Sequence, residues 1–289
     1  MLYVSTLMST IALVVAFQQG SSTTERSELS EQISEENDSN LEHRSFLKDR
    51  RYLWPVTNTS AGPRVYIPYK FYYIEPRVET LVLYYIELFK NKSCIQWIPR
   101  TNERDFVRIQ QTNSNDTLAD PCYSNALGRK GGRQLIGLNT FCLRLNHTPN
   151  RQSSIPHEMM HALGFNHEQQ RRDSRCYLNV SQEVENDKSY KVYRRKLTDI
   201  HFPYDFHSVM HYSGNKFVSL QGKSIGRRGT GPSWQDWWRI NYLYCGAKHI
   251  CEAKKALCEE HKRYLKQCYQ DGRLVYDPSD KFLEITDDA

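Results

Sequence analysis

The stretch that decides the fold is Ile155-Pro156-His157-Glu158-Met159-Met160-His161-Ala162-Leu163-Gly164-Phe165-Asn166-His167-Glu168. On a helix, residues four positions apart lie one above the other, so His157 and His161 present two imidazoles on one face, suitable for a single zinc ion. Glu158 lies beside that face, where it can take a proton from a zinc-activated water. Gly164 lets the chain leave the helix with a positive φ, and the following turn can bring His167 round as a third ligand. Three protein ligands leave one coordination position open, which is typical of a catalytic zinc site.

The alternative interpretation is that these are ordinary helix residues. Residue frequencies make a chance match at five fixed positions rare, on the order of one in ten thousand for a chain of this length. Pro156 cannot lie in a helix interior. We therefore predict that Ser153 or Ser154 caps the helix and that Pro156 falls in its first turn, where the missing N–H costs nothing.

Upstream of this stretch the pattern is that of a packed domain. Val65–Phe71 is predicted to be a strand, and Pro76 to open a helix whose apolar residues repeat at helical spacing. Two short strands are predicted at Cys94–Ile98 and Phe106–Ile109. The Gly-rich segment Gly128–Gln134 lacks the spacing of a phosphate-binding loop and is interpreted as a plain loop that leads into a further strand.

Three features indicate the secretory route. Residues 1–20 are an apolar stretch followed by small and polar residues, as in a signal peptide; an N-terminal membrane anchor is the alternative, but the run is short for one. The chain has 8 cysteines, and an even number behind such a leader predicts disulfides. Six N-x-Ser/Thr sequons predict a glycoprotein: Asn37, Asn58, Asn91, Asn115, Asn146 and Asn179. We expect the protein to be secreted and extracellular.

Residues 21–44 are predicted to be an acidic propeptide. They carry seven acidic side chains against two basic ones and almost no large apolar residues, a composition that cannot form its own core. The whole chain has a net charge of +6, so the remainder from Ser45 is strongly basic. Such a surface suits acidic substrates or an anionic matrix, although a soluble basic enzyme is the simpler interpretation.

From about Tyr52 to Cys245 the sequence resembles the astacin family of zinc metalloendopeptidases, within the metzincin group. The family signature, His-Glu-x-x-His-x-x-Gly-Phe-x-His-Glu-x-x-Arg-x-Asp, is met in full by His157–Asp173, and Ser208–Tyr212 matches the family's Met-turn, Ser-x-Met-His-Tyr. Two departures stand out: after Asp173 the family pattern is kept only at Tyr177, and His207 stands where the family commonly has glycine. If that position needs a positive φ, His207 would cost roughly 1 kcal/mol of strain.

The resemblance implies an α+β fold: a zincin-like, two-subdomain protease with a mixed sheet, two long helices, an active-site helix and a Met-turn. One Zn²⁺ per catalytic domain would be held by His157, His161 and His167, with Glu158 as the general base. Met210 would form the apolar floor under the metal, and Tyr212 would be a displaceable ligand whose hydroxyl stabilises the oxyanion. Ordinary core packing is the alternative for these last two residues.

The resemblance also implies disulfides between Cys94 and Cys245 and between Cys122 and Cys142. Four cysteines then stay unassigned: Cys176, Cys251, Cys258 and Cys268. Residues 247–289 are interpreted as a Cys-containing basic tail extension, helical and stapled to the catalytic domain at 45–246, with Cys176 as one anchor. The pairing of these four cysteines is left open.

Activation is where the sequence departs most from the resemblance, because the family's Phe-x-Gly-Asp latency motif is absent. We expect a trypsin-like protease to cut after Arg44, so that the new ammonium of Ser45 pairs with Glu168. The rival site lies after Arg50 or Arg51. The expected partners are protein or peptide substrates, with neither nucleic acid nor a stable membrane anchor. A non-catalytic secreted binding protein and a structural zinc domain are the competing functions.

Overall fold

The computed structural model describes residues 50–112, 122–139, 143, 153–181, 184, 202–212, 217–226 and 231–274. The chain divides into two units, Met1–Leu41 and Glu42–Ala289, and every described residue belongs to the second. The predicted signal peptide, the acidic propeptide and Ser45 therefore lie outside the described residues. Within the described ranges, no helix is both long enough and apolar enough to span a bilayer.

A mixed sheet forms the first half of the described chain. Its strands are β1 Val56–Thr59, β2 Gly62–Tyr72, β3 Ile95–Pro99, β4 Phe106–Thr112, β5 Cys122–Ser124 and β6 Arg133–Asn139. They follow the order β1-β2-β4-β6-β5, with β3 also paired to β2. Strands β2, β3, β4 and β6 run parallel, whereas β1 and β5 are antiparallel to their neighbours.

The pleat of this sheet explains which face carries the core. In β2, Val65, Ile67 and Tyr69 are buried while Tyr66 and Lys70 are exposed, because successive side chains of a strand point to opposite faces. Helix α1 (Pro76–Lys92) contacts β3 and brings a buried apolar stripe that includes Val78, Val82, Tyr85 and Phe89. It begins with Pro76 in the first turn, as the sequence predicted.

Helix α2 (Ser154–Ala162) carries the first two histidines and contacts α1, β5 and β6. Ser153 occupies the N-cap position without a side-chain capping bond, and Pro156 lies in the first turn. The helix has 9 residues and is shorter than the long helix expected here. It ends because Gly164 takes a φ of 95°, a left-handed conformation that glycine adopts without strain.

The second half is more irregular, as predicted. It holds α3 (Ser174–Tyr177), the small antiparallel pair β7 (Leu178–Val180) and β8 (Phe217–Ser219), and α4 (Trp234–Tyr244). A capping box starts α4, since Ser233 accepts from the backbone of Asp236 while Asp236 accepts from the backbone of Ser233. The mixed sheet, the active-site helix and this irregular half confirm the predicted α+β fold class.

Disulfides tie the elements together. Cys94, at the start of β3, is bonded to Cys245 at the end of α4. Cys122 is disulfide-bonded, and its expected partner Cys142 lies outside the described residues. Two further bonds hold the tail helices α5 (Ile250–Ala253) and α6 (Lys255–Gln270): Cys251–Cys258 joins α5 to α6, and Cys176–Cys268 joins α3 to α6.

Candidate metal centre

The three histidines of the sequence motif converge in the structure. Nε2 of His167 lies 3.2 Å from Nε2 of His157 and 3.1 Å from Nε2 of His161. The ligand nitrogens of all three lie within 4.8 Å of one another. A tetrahedral zinc ion with Zn–N bonds of 2.0–2.1 Å places neighbouring nitrogens about 3.4 Å apart. The spacing of the triad therefore fits one zinc ion.

The other ring nitrogen of each histidine meets an oxygen that can only accept. Nδ1 of His157 donates to the carbonyl of Val209 at 2.8 Å, and Nδ1 of His161 to the carbonyl of Phe165 at 2.7 Å. Nδ1 of His167 donates to the side-chain oxygen of Gln170 at 3.0 Å. In a neutral imidazole, a protonated Nδ1 leaves Nε2 as a bare lone pair. Three lone pairs face one another at close range, an arrangement that repels unless a cation lies between them, so the donor set fits the metal.

Burial keeps these imidazoles neutral. Burial lowers the pKa of His157. Burial also lowers the pKa of His161 to about 3, and the proximity of His157 adds to this because two imidazolium charges would repel each other. Burial also lowers the pKa of His167 well below its usual range, and the two neighbouring histidines add to this. Neutral imidazole is the form that binds a metal ion.

Glu158 lies on α2 directly after the first histidine and is 5% exposed. A carboxyl group is seldom buried without a functional or structural partner. The structure therefore brings Glu158, His157 and His161 together on one short helix, as the sequence placed them. Its part as general base stays a prediction.

Met210 and Tyr212 lie in the turn formed by residues 208–212. Met210 is 2% exposed, and its carbonyl accepts from the backbone N–H of Glu168 at 3.1 Å, which ties the turn to the segment that carries His167. The ring of Tyr212 is tilted against His167, with centroids 4.3 Å apart, and stacks at 6.2 Å from His157. Both residues therefore belong to the neighbourhood of the triad, while their expected roles stay predictions.

Asp236 anchors this turn from α4. It accepts hydrogen bonds from the Ser208 hydroxyl at 2.6 Å and from the backbone N–H of Val209 at 2.8 Å. Burial and the neighbouring carboxyl of Asp205 raise the pKa of Asp236 to about 7. Asp236 thus completes the α4 capping box and also fixes the Met-turn, whose Val209 carbonyl orients His157.

His207 does not carry the strain considered for it. Among the described residues, Tyr73 is the one non-glycine residue with a positive φ, so His207 has an ordinary backbone conformation. Its N–H donates to a carboxyl oxygen of Asp205 at 2.9 Å, and its side chain is exposed. The chain before the Met-turn therefore needs no glycine at position 207, since His207 has a negative φ and its N–H is bonded to Asp205.

Glu168 is 1% exposed and lies between two buried guanidinium groups. One of its carboxylate oxygens accepts from Arg171 at 2.9 Å and the other from Arg239 at 2.8 Å. Burial on its own would raise the pKa of Glu168, but the charges of Arg239 and Arg171 outweigh it and lower the pKa to about 2. The expected partner Ser45 lies outside the described residues, so its ion pair with Glu168 stays a prediction.

The sequence did not predict the ion pairs of three charged groups in this cluster: Arg239, Arg171 and Asp173. Arg239 is fully buried in α4, 71 residues from Glu168, and nothing near it in sequence marks it as a partner. Arg171 and Asp173 match the family signature, but that match does not predict their buried ion pair at 2.8 Å. The Ser-x-x-Asp pattern at Ser233 was the available sign of a helix start that also places Arg239.

Three neutral histidines with one buried glutamate beside them, on an α+β fold with a Met-turn, define a metal-dependent hydrolase of the zinc peptidase class. Comparison with known proteins makes this assignment more specific. The family model described as Astacin (Peptidase family M12A) matches residues 56–245. The chain belongs to this family, and the predicted resemblance is confirmed.

Individual relatives agree with the family assignment. High choriolytic enzyme 2 of Oryzias latipes is 34% identical over 169 residues, which are 54% of this chain and 55% of that protein. Embryonic protein UVS.2 of Xenopus laevis is 31% identical over 215 residues, covering 70% of this chain and 38% of that protein. The chain thus spans about half the length of the choriolytic enzymes that it matches.

A solved structure supports the fold. High choriolytic enzyme 1, a hatching enzyme zinc-protease from Oryzias latipes, superposes with a TM-score of 0.53 at 30% identity. The alignment covers 68% of this chain and 96% of that structure. The astacin fold and its histidine-bound zinc therefore apply to the catalytic part of this chain.

Proposed function

We propose that this protein is a secreted zinc-dependent endopeptidase that hydrolyses peptide bonds in extracellular proteins. The observation that carries the proposal is the convergence of three Nε2 lone pairs, at 3.1 and 3.2 Å, beside buried Glu158. Two of these lone pairs belong to His157 and His161 on the helix of Glu158, and the third belongs to His167 in the segment after it. Membership of the astacin family supports the same reaction.

The chemistry divides among the residues of the centre. A zinc ion held by the triad would supply Lewis acidity towards water and the scissile carbonyl. Glu158 takes the proton of the attacking water and delivers it to the leaving amine. The Tyr212 hydroxyl donates a hydrogen bond to the oxyanion that develops. The Nδ1 bonds of the histidines hold their rings in place throughout the reaction.

Replacing Glu158 by Gln tests this division directly. The variant should retain zinc at the wild-type stoichiometry, measured by elemental analysis, and lose casein or gelatin hydrolysis by several orders of magnitude. His161→Ala is the matched control, because it should lose zinc as well as activity. Activity near that of the wild type in Glu158→Gln would show that the general base is another group.

A non-catalytic binding protein is the competing function. Loss of catalysis in a retained fold usually follows loss of a ligand or of the base, and here all three histidines and Glu158 are in place. The names of the Oryzias latipes relatives describe choriolytic and hatching enzymes. For this chain we adopt only the shared class, namely protein substrates outside the cell.

We propose the domain organisation as read from the sequence: signal peptide 1–20, acidic propeptide 21–44, catalytic domain 45–246 and tail 247–289. Exposure of Asn58, Asn91 and Asn179 is compatible with glycosylation at those sequons. Trp54 belongs to the folded domain, since its indole donates to the carbonyl of Ala162 at the end of α2, and a mature chain must begin ahead of Trp54 to keep this bond.

Activation by a trypsin-like protease after Arg44 would free the ammonium of Ser45. The 45–51 segment spans at most about 25 Å when extended, so a terminus at Ser45 has reach that a start at Tyr52 lacks. The Glu168 cluster holds the buried carboxyl groups of Glu168, Asp173, Asp205 and Asp236 against two guanidinium groups. Burial and mutual repulsion raise the pKa of Asp205 and of Asp236, and a further cation nearby would favour their ionised forms. N-terminal sequencing of the active enzyme decides the point: Ser45 supports the proposal, and Tyr52 overturns it.

A further inference from the structure

The tail beyond the family match lies against the irregular half of the described chain. The match ends at residue 245, and α5 and α6 follow it. Helix α6 presents His261, Tyr264, Leu265 and Cys268 at spacings of three and four residues, which places them on one face. His261, Leu265 and Cys268 are buried.

This face of α6 is joined to α3 by three contacts. Cys268 forms a disulfide with Cys176. The Tyr264 hydroxyl donates to the carbonyl of Cys176 at 2.8 Å, and the Tyr177 hydroxyl is hydrogen-bonded to Nδ1 of His261 at 2.6 Å. The tail therefore fixes both the backbone and an aromatic side chain of α3.

From α3 the contacts continue to the Met-turn. The Tyr177 ring stacks on the Tyr204 ring, with centroids 4.5 Å apart and planes within 13°. The Tyr204 hydroxyl lies 2.8 Å from Nε2 of His211, whose Nδ1 lies 2.7 Å from the carbonyl of Tyr212. Because that carbonyl only accepts, Nδ1 of His211 carries the proton, and Nε2 must accept from the Tyr204 hydroxyl.

The hydrogen bond between Tyr204 and His211 is buried, so its loss is costly. Tyr204 is 6% exposed and His211 is 5% exposed. Removal of the Tyr204 hydroxyl would leave a buried acceptor on His211 without its donor, a costly state that favours a shift of the ring. The backbone of Tyr212 depends on this ring and on the Gln169 side chain, which accepts from the Tyr212 N–H at 3.0 Å.

The tail also contacts the segment at 202–206, which carries Tyr204, directly. The buried His249 ring, just before α5, packs edge-on against Phe202 with centroids 4.5 Å apart. Phe202 stands two residues before Tyr204. The tail therefore contacts the segment at 202–206 directly as well as through α3.

We propose that the tail is an intramolecular brace that positions Tyr212 for catalysis through Tyr177, Tyr204 and His211. The inference rests on the proposed function of Tyr212 as the group that stabilises the oxyanion. Tyr204 and His211 are positioning residues, since they act through Tyr212 and not on the substrate. The tail residues of the brace, His261, Tyr264 and Cys268, lie outside the family match, whereas Tyr177, Tyr204 and His211 lie inside it.

Tyr204→Phe is the first test, because it removes one hydroxyl and keeps the stacked ring. We expect kcat for a peptide substrate to fall about tenfold, with KM within about twofold of the wild type and zinc content unchanged. Opening the Cys176–Cys268 bond in Cys176→Ala/Cys268→Ala should lower kcat in the same way. The matched control is Cys251→Ala/Cys258→Ala, which removes a disulfide confined to the tail and should leave kcat unchanged.

A double-mutant cycle separates the brace from the role of Tyr212 itself. Tyr204→Phe should reduce kcat in the wild-type background and cause no further loss in Tyr212→Phe. An equal loss in both backgrounds would overturn the brace while the proposed role of Tyr212 stands. Wild-type kcat in Tyr212→Phe alone would instead overturn that role, and the inference with it. A fall in zinc content in Tyr204→Phe would assign the effect to the metal site and also overturn the brace.

Discussion

Each ligand of the metal centre is oriented by an oxygen from a different part of the chain. His161 uses the turn directly after its own helix, His167 uses Gln170 in the next turn, and His157 uses Val209 in the Met-turn. Bonds of this kind fix the tautomer and the ring direction, and their loss typically weakens metal binding. The triad is therefore preorganised by oxygens from two segments, the one after α2 and the Met-turn. The Met-turn oxygen, the Val209 carbonyl, lies 52 residues from His157 in sequence.

Tyr212 is expected to act in the transition state and not in substrate binding. Tyr212→Phe keeps the ring packed against His167, at 4.3 Å between centroids, and removes only the hydroxyl. We predict a loss in kcat on the order of a hundredfold with the zinc content unchanged. Steady-state kinetics with a quenched fluorescent peptide gives the split, and a change confined to KM would contradict the assigned role.

Glu168 is expected to contribute to stability in a pH-dependent way. Its folded-state pKa of about 2 lies below the usual value of about 4.3, so its stabilisation is full above about pH 4.3 and is lost as pH falls towards 2. Glu168→Gln leaves two buried guanidinium groups poorly compensated, and we predict a cost of about 3–5 kcal/mol near neutral pH. Urea denaturation from pH 7 to pH 2 should show the two proteins converging at the acid end; a constant difference would contradict the ion-pair account.

At the scale of elements, the sequence predicted those parts whose cause is local. Pro76 is preorganised for a first helical turn, and α1 begins there. Gly164 was expected to leave α2 with a positive φ and does so. The length of α2 was overestimated. The pairing of Cys176 with Cys268 was beyond prediction, since spacing alone does not determine which cysteines meet.

The buried charged residues were also beyond what local sequence patterns predict, because their partners lie far away in sequence. The spacing of His157 and His161 indicates a metal site, because residues four apart lie on the same face of a helix. Arg239 and Asp236 reach Glu168 and the Met-turn only through the packing of α4 against the segments at 168–173 and 205–209, and no local pattern encodes that contact. The sequence therefore predicts the metal ligands, but not the buried charged residues Arg239 and Asp236 that support the segments around them.

The disulfides should differ in what they contribute to stability. Cys94–Cys245 closes a sequence separation of 151 residues, whereas Cys251–Cys258 closes one of 7. On chain-entropy grounds these loops are worth about 5 and about 2 kcal/mol respectively. We predict that Cys94→Ala/Cys245→Ala lowers the urea midpoint much more than Cys251→Ala/Cys258→Ala; equal midpoints would show that the long bond does not constrain the unfolded chain.

At the scale of the whole molecule, one half supplies a rigid sheet and the metal-binding helix, and the other supplies the Met-turn and its buried charges. The Cys94–Cys245 bond and the Trp54 and Tyr244 contacts with the end of α2 join the two around the active-site helix. The tail adds a further layer against the irregular half. This arrangement places the triad where both halves meet.

One zinc ion on His157, His161 and His167 is expected to be responsible for peptide-bond hydrolysis. This can be tested by removing the metal from the active enzyme with a chelator and restoring it in measured steps, with casein hydrolysis followed at each step. We predict no hydrolysis in the metal-free protein and recovery that saturates at one zinc per chain. Hydrolysis that persists at the wild-type rate in verified zinc-free protein would contradict it.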